Sequence, residues 1–264
     1  MTIQIMGVLN VTPDSFFDGG QYTQVSNAIE QALKMENAGA SIIDIGGEST
    51  RPGAALVSLD EELNRVIPVI EGLRNQSDVS ISIDTSKPEV MSEAVQAGAN
   101  IINDVCALRQ PGALQTAADL NVPVCLMHML GEPRSMQKDP IYTDVVSEVN
   151  AFLLDRVEIC NRAGIKQENI WLDPGFGFGK TLQHNLSLLK HLNVFVESGF
   201  PILVGVSRKS MLAAILDVDL DERLLGSLAL ATAAMMKGAT ILRVHDVKET
   251  KQVVQVCEAL LQAD

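Results

Sequence analysis

An α/β fold, a single-domain (β/α)8 barrel of the TIM type, is what this sequence predicts, and three observations carry the prediction. Short apolar runs rich in Ile and Val recur eight times, which is how strands buried on both faces of a parallel sheet read. Helical patterns separate them, at 25–38, 60–75, 88–97, 112–120, 142–163, 183–192, 221–237 and 247–262. Each apolar run also stops at residues able to do polar chemistry, and in such barrels the active site lies at the C-terminal ends of the strands.

Taken in order, MGVLN ends at Asn10, and SIIDIGGEST carries Asp44 and Thr50. SISID ends at Asp84 and NIIND at Asn103 and Asp104. VPVCLMH closes on His128, NIWLD on Asp173, PILVGVSRK on Ser207 to Lys209, and TILRVH on Arg243 and His245. Three segments repeat one another: NAGASIIDI (37–45), QAGANIINDV (96–105) and MKGATILRVHDV (236–247). In each a helix is predicted to stop at Gly39, Gly98 or Gly238, because glycine tolerates the left-handed conformation that closes a helix. Lys87-Pro88 and Asp60-Glu61 mark helix starts, by a first-turn proline and an acidic cap. The connections at 10–23 and 46–58 are long and rich in Gly and Pro, and a third spans 129–140. Such connections usually take about two to six residues, and longer ones tend to carry function. No low-complexity linker interrupts the series, so residues 1–264 read as one domain.

Composition narrows the function. Hydrophobic residues make up 47%, enough for a large core, yet no apolar stretch reaches the roughly 18 residues of a membrane span. The N-terminus has no basic segment ahead of its first apolar run, so no signal peptide is read and a cytoplasmic protein is expected. Cys106, Cys125, Cys160 and Cys257 show no CxxC spacing and read as core residues of a reduced cytosol. A net charge of −13 argues against nucleic acid as a partner. An anionic substrate then needs local cations, which suffice because salt confines the overall field to about 8 Å.

Asp84 and Asp173 are the sharpest pair, each ending an apolar run on opposite sides of the predicted mouth. A buried carboxylate needs hydrogen-bond donors, and a ring with a fork of N–H groups, such as an aminopyrimidinone, supplies them. Asn103 both donates and accepts, which suits mixed nitrogen edges. Ser207-Arg208-Lys209-Ser210 and Arg243-His245 follow strands seven and eight, where barrels often bind phosphate, and a helix starting near Lys209 would add its N-terminal dipole. Arg51 reaches in from the second loop. DPGFGFGK (173–180) lacks P-loop spacing and reads as a tight turn bringing Phe176 or Phe178 over the mouth. No metal-ligand cluster or nucleophile arrangement stands out.

Over essentially its whole length the chain resembles the dihydropteroate synthase family. The motifs that carry the likeness are GVLNVTPDSF (7–16), DIGGESTRPG (44–53), SIDTSKP (82–88), INDV (102–105), LDPGFGFGK (172–180), VGVSRKS (204–210) and RVHDVKET (243–250). The resemblance implies joining p-aminobenzoate to 6-hydroxymethyl-7,8-dihydropterin pyrophosphate with Mg²⁺ assistance, by a largely dissociative displacement. It also implies sulfonamide inhibition and a homodimer. The Ala/Met-rich helical segment GSLALATAAMMKG (226–238) suits either that interface or core packing. By this likeness Asp84, Asn103, Met127, Asp173 and Lys209 hold the pterin. Asn10, Arg51, Arg243 and His245 bind the pyrophosphate, with Asn10 also a ligand of Mg²⁺. Phe16, Thr50, Pro52, Phe178 and Ser207 form the p-aminobenzoate pocket. Asp14, Lys209 and Arg243 carry the catalytic roles, Asp14 supporting the electron-poor methylene. Methyltetrahydrofolate methyltransferases share a pterin-holding barrel but need no cations for a leaving pyrophosphate, so Arg51, Ser207–Lys209 and Arg243–His245 favour the synthase.

Overall fold

A computed structural model describes residues 3–12, 21–49, 56–131, 136–137 and 139–263, with backbone only at 21–23. Its eight strands are β1 (Gln4–Asn10), β2 (Ile42–Gly46), β3 (Ser80–Asp84), β4 (Ile101–Asp104), β5 (Val124–Met127), β6 (Ile170–Asp173), β7 (Leu203–Val204) and β8 (Ile241–Val244). They pair in parallel in the order β6-β5-β4-β3-β2-β1-β8-β7. A single parallel bridge, Leu172 to Ile202, and the bond from Leu172 N to Pro201 O (2.9 Å) bring β6 against the start of β7 and close the ring. One bridge holds less than a full ladder, so amide exchange at Leu172 is expected to outpace that at Ile43 and Ile83, as read by hydrogen-exchange mass spectrometry or NMR.

Strand alternation sorts the side chains. Ile5, Ile43, Ile45, Ile81, Ile83, Ile102, Leu126, Leu172 and Leu242 pack outward against the helices, in the main core. Met6, Ile42, Ile101, Cys125, Leu203 and Ile241, with Trp171 against them, fill the barrel interior. Counting by two from these interior residues turns Val8 and Asn10, Asp44, Asn103, Met127, Asp173 and Arg243 inward as well. Ser82 and Asp84 follow on β3, opposite in parity to outward Ile81 and Ile83. A slip of one residue would send all of them to the helical side. Asp104 has the outward parity, and it caps the following turn by accepting from Cys106 N (2.8 Å) and Leu108 N (2.7 Å).

Ten helices lie among the described residues: α1 (Gln21–Asn37), α2 (Leu59–Arg74), α3 (Pro88–Ala97), α4 (Ala113–Leu120), α5 (Val145–Arg162), α6 (Leu182–Lys190), α7 (Asn193–Val196), α8 (Ser210–Leu216), α9 (Leu224–Met236) and α10 (Val247–Leu261). The repeated glycine stops are as expected: Gly39, Gly98 and Gly238 have φ of 107°, 119° and 99°. Two helices differ from their predicted spans. The 183–192 pattern corresponds to α6, which stops at Lys190 because His191 leaves helical geometry, and a short unexpected helix, α7, follows it with Leu192 and Phe195 turned into the core. The 221–237 pattern opens with a 3-10 turn at Leu220–Glu222 before α9 begins. At α2 the cap is Ser58, accepting from Glu61 N at 3.2 Å, and Asp60 and Glu61 form the acidic first turn rather than the cap.

Candidate active site

The inward residues of β2, β3, β4 and β8 are linked through Asp44 and Arg243. Asp44 is fully buried, and its Oδ2 accepts from Asn103 Nδ2 (3.1 Å) and Arg243 Nε (2.6 Å). Arg243 Nη2 donates to Asp84 Oδ2 at 2.7 Å. Two buried acids thus share one guanidinium. Asp44 Oδ1, Asp84 Oδ1 and Ser82 Oγ are buried without a hydrogen bond among the described residues. Burial raises the Asp84 carboxyl to about 7; Arg243 opposes the shift, and Asp44 and Asp104 add to it.

Across the chamber stands Asp173, whose Oδ1 accepts from Gly175 N at 2.7 Å. Burial raises its pKa, and Lys209 holds the rise back. The Lys209 ammonium donates to Phe176 O and lies 4.7 Å from the centre of the Phe178 ring. Its pKa falls to about 8 through burial, against the pull of Asp173 and with repulsion from Arg243. Asp84, Asp173, Lys209 and Arg243 therefore share one interior field.

The glycine-rich turn after β6 shapes this wall. Gly175, Gly177 and Gly179 have φ of 72°, 81° and 61°, and a Cβ on Gly175 would sit 1.8 Å from His128 O. Lys180 is buried, with its ammonium on the carbonyls of Gly175 (2.9 Å), Phe178 (3.0 Å) and His128 (3.3 Å) and on His128 Nδ1 (2.9 Å). Burial lowers Lys180 to about 7, and burial with the Lys180 charge lowers His128 to about 3. The imidazole is thus neutral and offers Nδ1 as the acceptor. Of the two phenylalanines, Phe176 is wholly in the core, and Phe178 is the one beside Lys209. Phe178 also packs on the cluster of Val105, Cys106, Met127, Met129 and Met136.

The remaining expected residues divide. Ser207 Oγ accepts from His245 N at 3.2 Å and lies 3.1 Å from His245 Nδ1, so the ends of β7 and β8 are joined through this pair. His245 is exposed and Asn10 is half-buried at the end of β1. Arg208, grouped with the cations in the sequence, instead forks onto Asp246 through Nε (2.9 Å) and Nη2 (2.5 Å). Asp14, Phe16, Thr50, Arg51 and Pro52 lie outside the described residues. Sequence reasoning gave no role to Asp44 or Lys180. Asp44 was recoverable, since it stands two residues beyond inward-facing Ile42 on an otherwise apolar strand.

A closed parallel barrel that gathers three buried carboxylates, an amide and two cations at its strand ends has the make-up of an enzyme site for a nitrogen-rich small molecule. Its class is that of the pterin binding enzymes, whose family description matches residues 6–245. A dihydropteroate synthase of Escherichia coli K12 is 56% identical over 98% of this chain and 92% of its own length. The solved Yersinia pestis dihydropteroate synthase with a sulfonamide drug complex superposes with a TM-score of 0.95 at 52% identity, over 99% of this chain and 95% of that one. The Xanthomonas albilineans enzyme in complex with 7,8-dihydropteroate gives 0.92 at 46% identity, over 100% and 95%. The chain belongs to the dihydropteroate synthase family of transferases.

Proposed function

We propose that the chamber holds 6-hydroxymethyl-7,8-dihydropterin pyrophosphate and transfers its pterinylmethyl group to p-aminobenzoate, giving 7,8-dihydropteroate and pyrophosphate. The observation that carries this reading is the shared interior of Asp84, Asn103, Asp173, Lys209 and Arg243, from five strand ends. Asp84 and Asp173 accept from the amino and ring N–H edge, with Asn103 beside them and Met127 against the ring. Lys209 faces the carbonyl and N5 side. Asn10, Arg51, Arg243 and His245 take the pyrophosphate. Phe16, Thr50, Pro52, Phe178 and Ser207 receive the p-aminobenzoate. Sulfonamides, one of which is bound in the Yersinia pestis structure, would compete for this second position.

The C–O bond between the methylene and the diphosphate breaks with its electron pair on the leaving oxygen, and fixed cations stabilise that charge. The pterin spreads the positive charge left on the methylene, with Asp14 supporting it. The neutral aniline nitrogen then forms the new C–N bond and gives up a proton. Asn10, half-buried at the end of β1, offers a hard amide oxygen that would hold Mg²⁺ together with oxygens of the diphosphate. When bound, Mg²⁺ would neutralise the departing diphosphate. Incubation with isotope-labelled p-aminobenzoate tests the reaction. Labelled dihydropteroate equal to pyrophosphate released is expected; methyl transfer from methyltetrahydrofolate, with no such product, would replace this reading.

The raised Asp84 pKa sets a pH dependence. Its elevation means the folded state binds a proton more tightly than the unfolded chain, so its contribution to stability is present below about 4 and lost as pH rises through about 7. Binding runs the other way, because the ionised carboxylate is the better N–H acceptor. Pterin affinity is therefore expected to fall on acidification from 7.5 to 5.5, by at most about tenfold per pH unit below 7. Calorimetric titration across that range reads it, and a flat profile would contradict the role.

The protein is further proposed to act in the cytoplasm as a homodimer. Among the described residues no helix is long and apolar enough to cross a membrane. Leu225 (78% exposed), Ile215, Leu216, Leu220 and Met236 are exposed apolar side chains on α8, α9 and the turn between them. Leu225→Glu is expected to shift the sedimenting species from dimer towards monomer.

A further inference from the structure

We propose that Lys180 is a positioning residue for the second substrate, its buried ammonium fixing the glycine-rich turn so that the Phe178 ring stands where p-aminobenzoate binds. This rests on the assignment of Phe178 to the acceptor pocket made above and adds a residue to it. Side chains hold the turn along its whole edge. The carbonyls of Gly175 and Phe178 accept from Lys180 and that of Phe176 from Lys209. Those of Gly177 and Gly179 accept from Gln137 Nε2 (2.5 Å) and the Tyr142 hydroxyl (2.8 Å). Of these donors, Lys180 is the one that grips both ends of the Gly175–Phe178 turn, which the bond from Phe178 N to Gly175 O (3.1 Å) closes.

The same ammonium reaches across to the residue after β5, lying 3.3 Å from His128 O and 2.9 Å from His128 Nδ1. Its three N–H groups thus share four protein acceptors, which leaves no donor for a ligand. His128 follows Met127, and Met127 belongs to the cluster on which Phe178 packs. One charged group thereby sets the spacing between the Phe178 ring and the β5 wall. Gly175 permits the approach, since a Cβ there would overlap His128 O at 1.8 Å and crowd Lys180 Nζ at 3.3 Å. Asp173, by contrast, lies on β6 in register with Met127, so its place depends on the strand ladder rather than on the turn. Loss of the ammonium therefore acts on the acceptor side of the chamber.

Steady-state kinetics on the whole protein, with p-aminobenzoate and the pterin pyrophosphate varied in turn, tests this in Lys180→Met, which keeps the stem and removes the ammonium. The KM for p-aminobenzoate is expected to rise by about tenfold or more, and that for the pterin pyrophosphate far less, as a displaced ring on one side of the chamber requires. Phe178→Leu with Lys180→Met is expected to cost no more than Phe178→Leu alone, because both act through one ring. His128→Leu should raise the acceptor KM in the same sense, and His128→Asn, which keeps an acceptor near the Nδ1 position, should restore it. If Lys180→Met does not fold, the two His128 variants decide. An unchanged acceptor KM in folded Lys180→Met, equal rises for both substrates, or additive losses in the double variant would overturn the inference, as would equal KM values in the two His128 variants. Failure of the unaltered protein to form dihydropteroate would instead bring down the functional reading itself, and this inference with it.

Discussion

Arg243→Ala is expected to lower the unfolding free energy by about 3 kcal/mol, at the lower end of the range for removing one partner of a buried pair. The reason lies in the chamber: Asp44 is fully buried and Asp84 nearly so, and the guanidinium is the cation hydrogen-bonded to both. Its removal leaves two carboxylates facing each other in a poorly solvated space. The lower end applies because Arg243 itself is partly open to water at the mouth. Urea unfolding monitored by circular dichroism reads the loss. A second readout separates the electrostatic and ligand roles. In the refolded variant, affinity for the pterin pyrophosphate should drop far more than affinity for the pyrophosphate-free pterin. Equal losses for the two would remove Arg243 from the anion site and leave it as a counter-ion alone.

Asp84→Asn should weaken pterin binding by about 1.5–3 kcal/mol, the value of a hydrogen bond to a charged acceptor. Asparagine fills the same space and keeps one oxygen for Arg243 Nη2, so the fold should suffer less than in Arg243→Ala. The burial that raises the Asp84 carboxyl to about 7 no longer acts on a charge, which further limits the structural cost. What is lost is the second anionic oxygen that a fork of donors requires. Calorimetry with pterin reads the change, and unaltered affinity would place Asp84 outside the pocket.

Much of this arrangement is legible in the residues because two short-range rules act in the same sense. Alternation fixed by Ile42 and Ile43, or by Ile101 and Ile102, also aims Asp44 and Asn103, and glycine at 39, 98 and 238 marks where helices end. What local rules do not reach is pairing across the ring. Asp44 and Arg243 are 199 residues apart, and nothing in either strand announces their contact. Arg208 and Lys209 are neighbours with similar chemistry, yet one turns to Asp246 and the other to Phe176 O, which a left-handed backbone at Arg208 (φ 56°) decides. Likewise Phe176 and Phe178 are equivalent by type; three positive-φ glycines send one into the core and the other to the chamber.

The lone bridge between Leu172 and Ile202 has a consequence for how tolerant each side of the cup is. Asp84 and Asn103 sit on strands laced to both neighbours, whereas Asp173 and Lys209 flank the joint where β6 meets a β7 of only two residues. On the proposed assignment a fused bicyclic guest would thus lie between two unlike walls, one fully laced at β3 and β4 and one beside the thinnest seam of the ring. Any give in its grip would come from the Asp173 and Lys209 side.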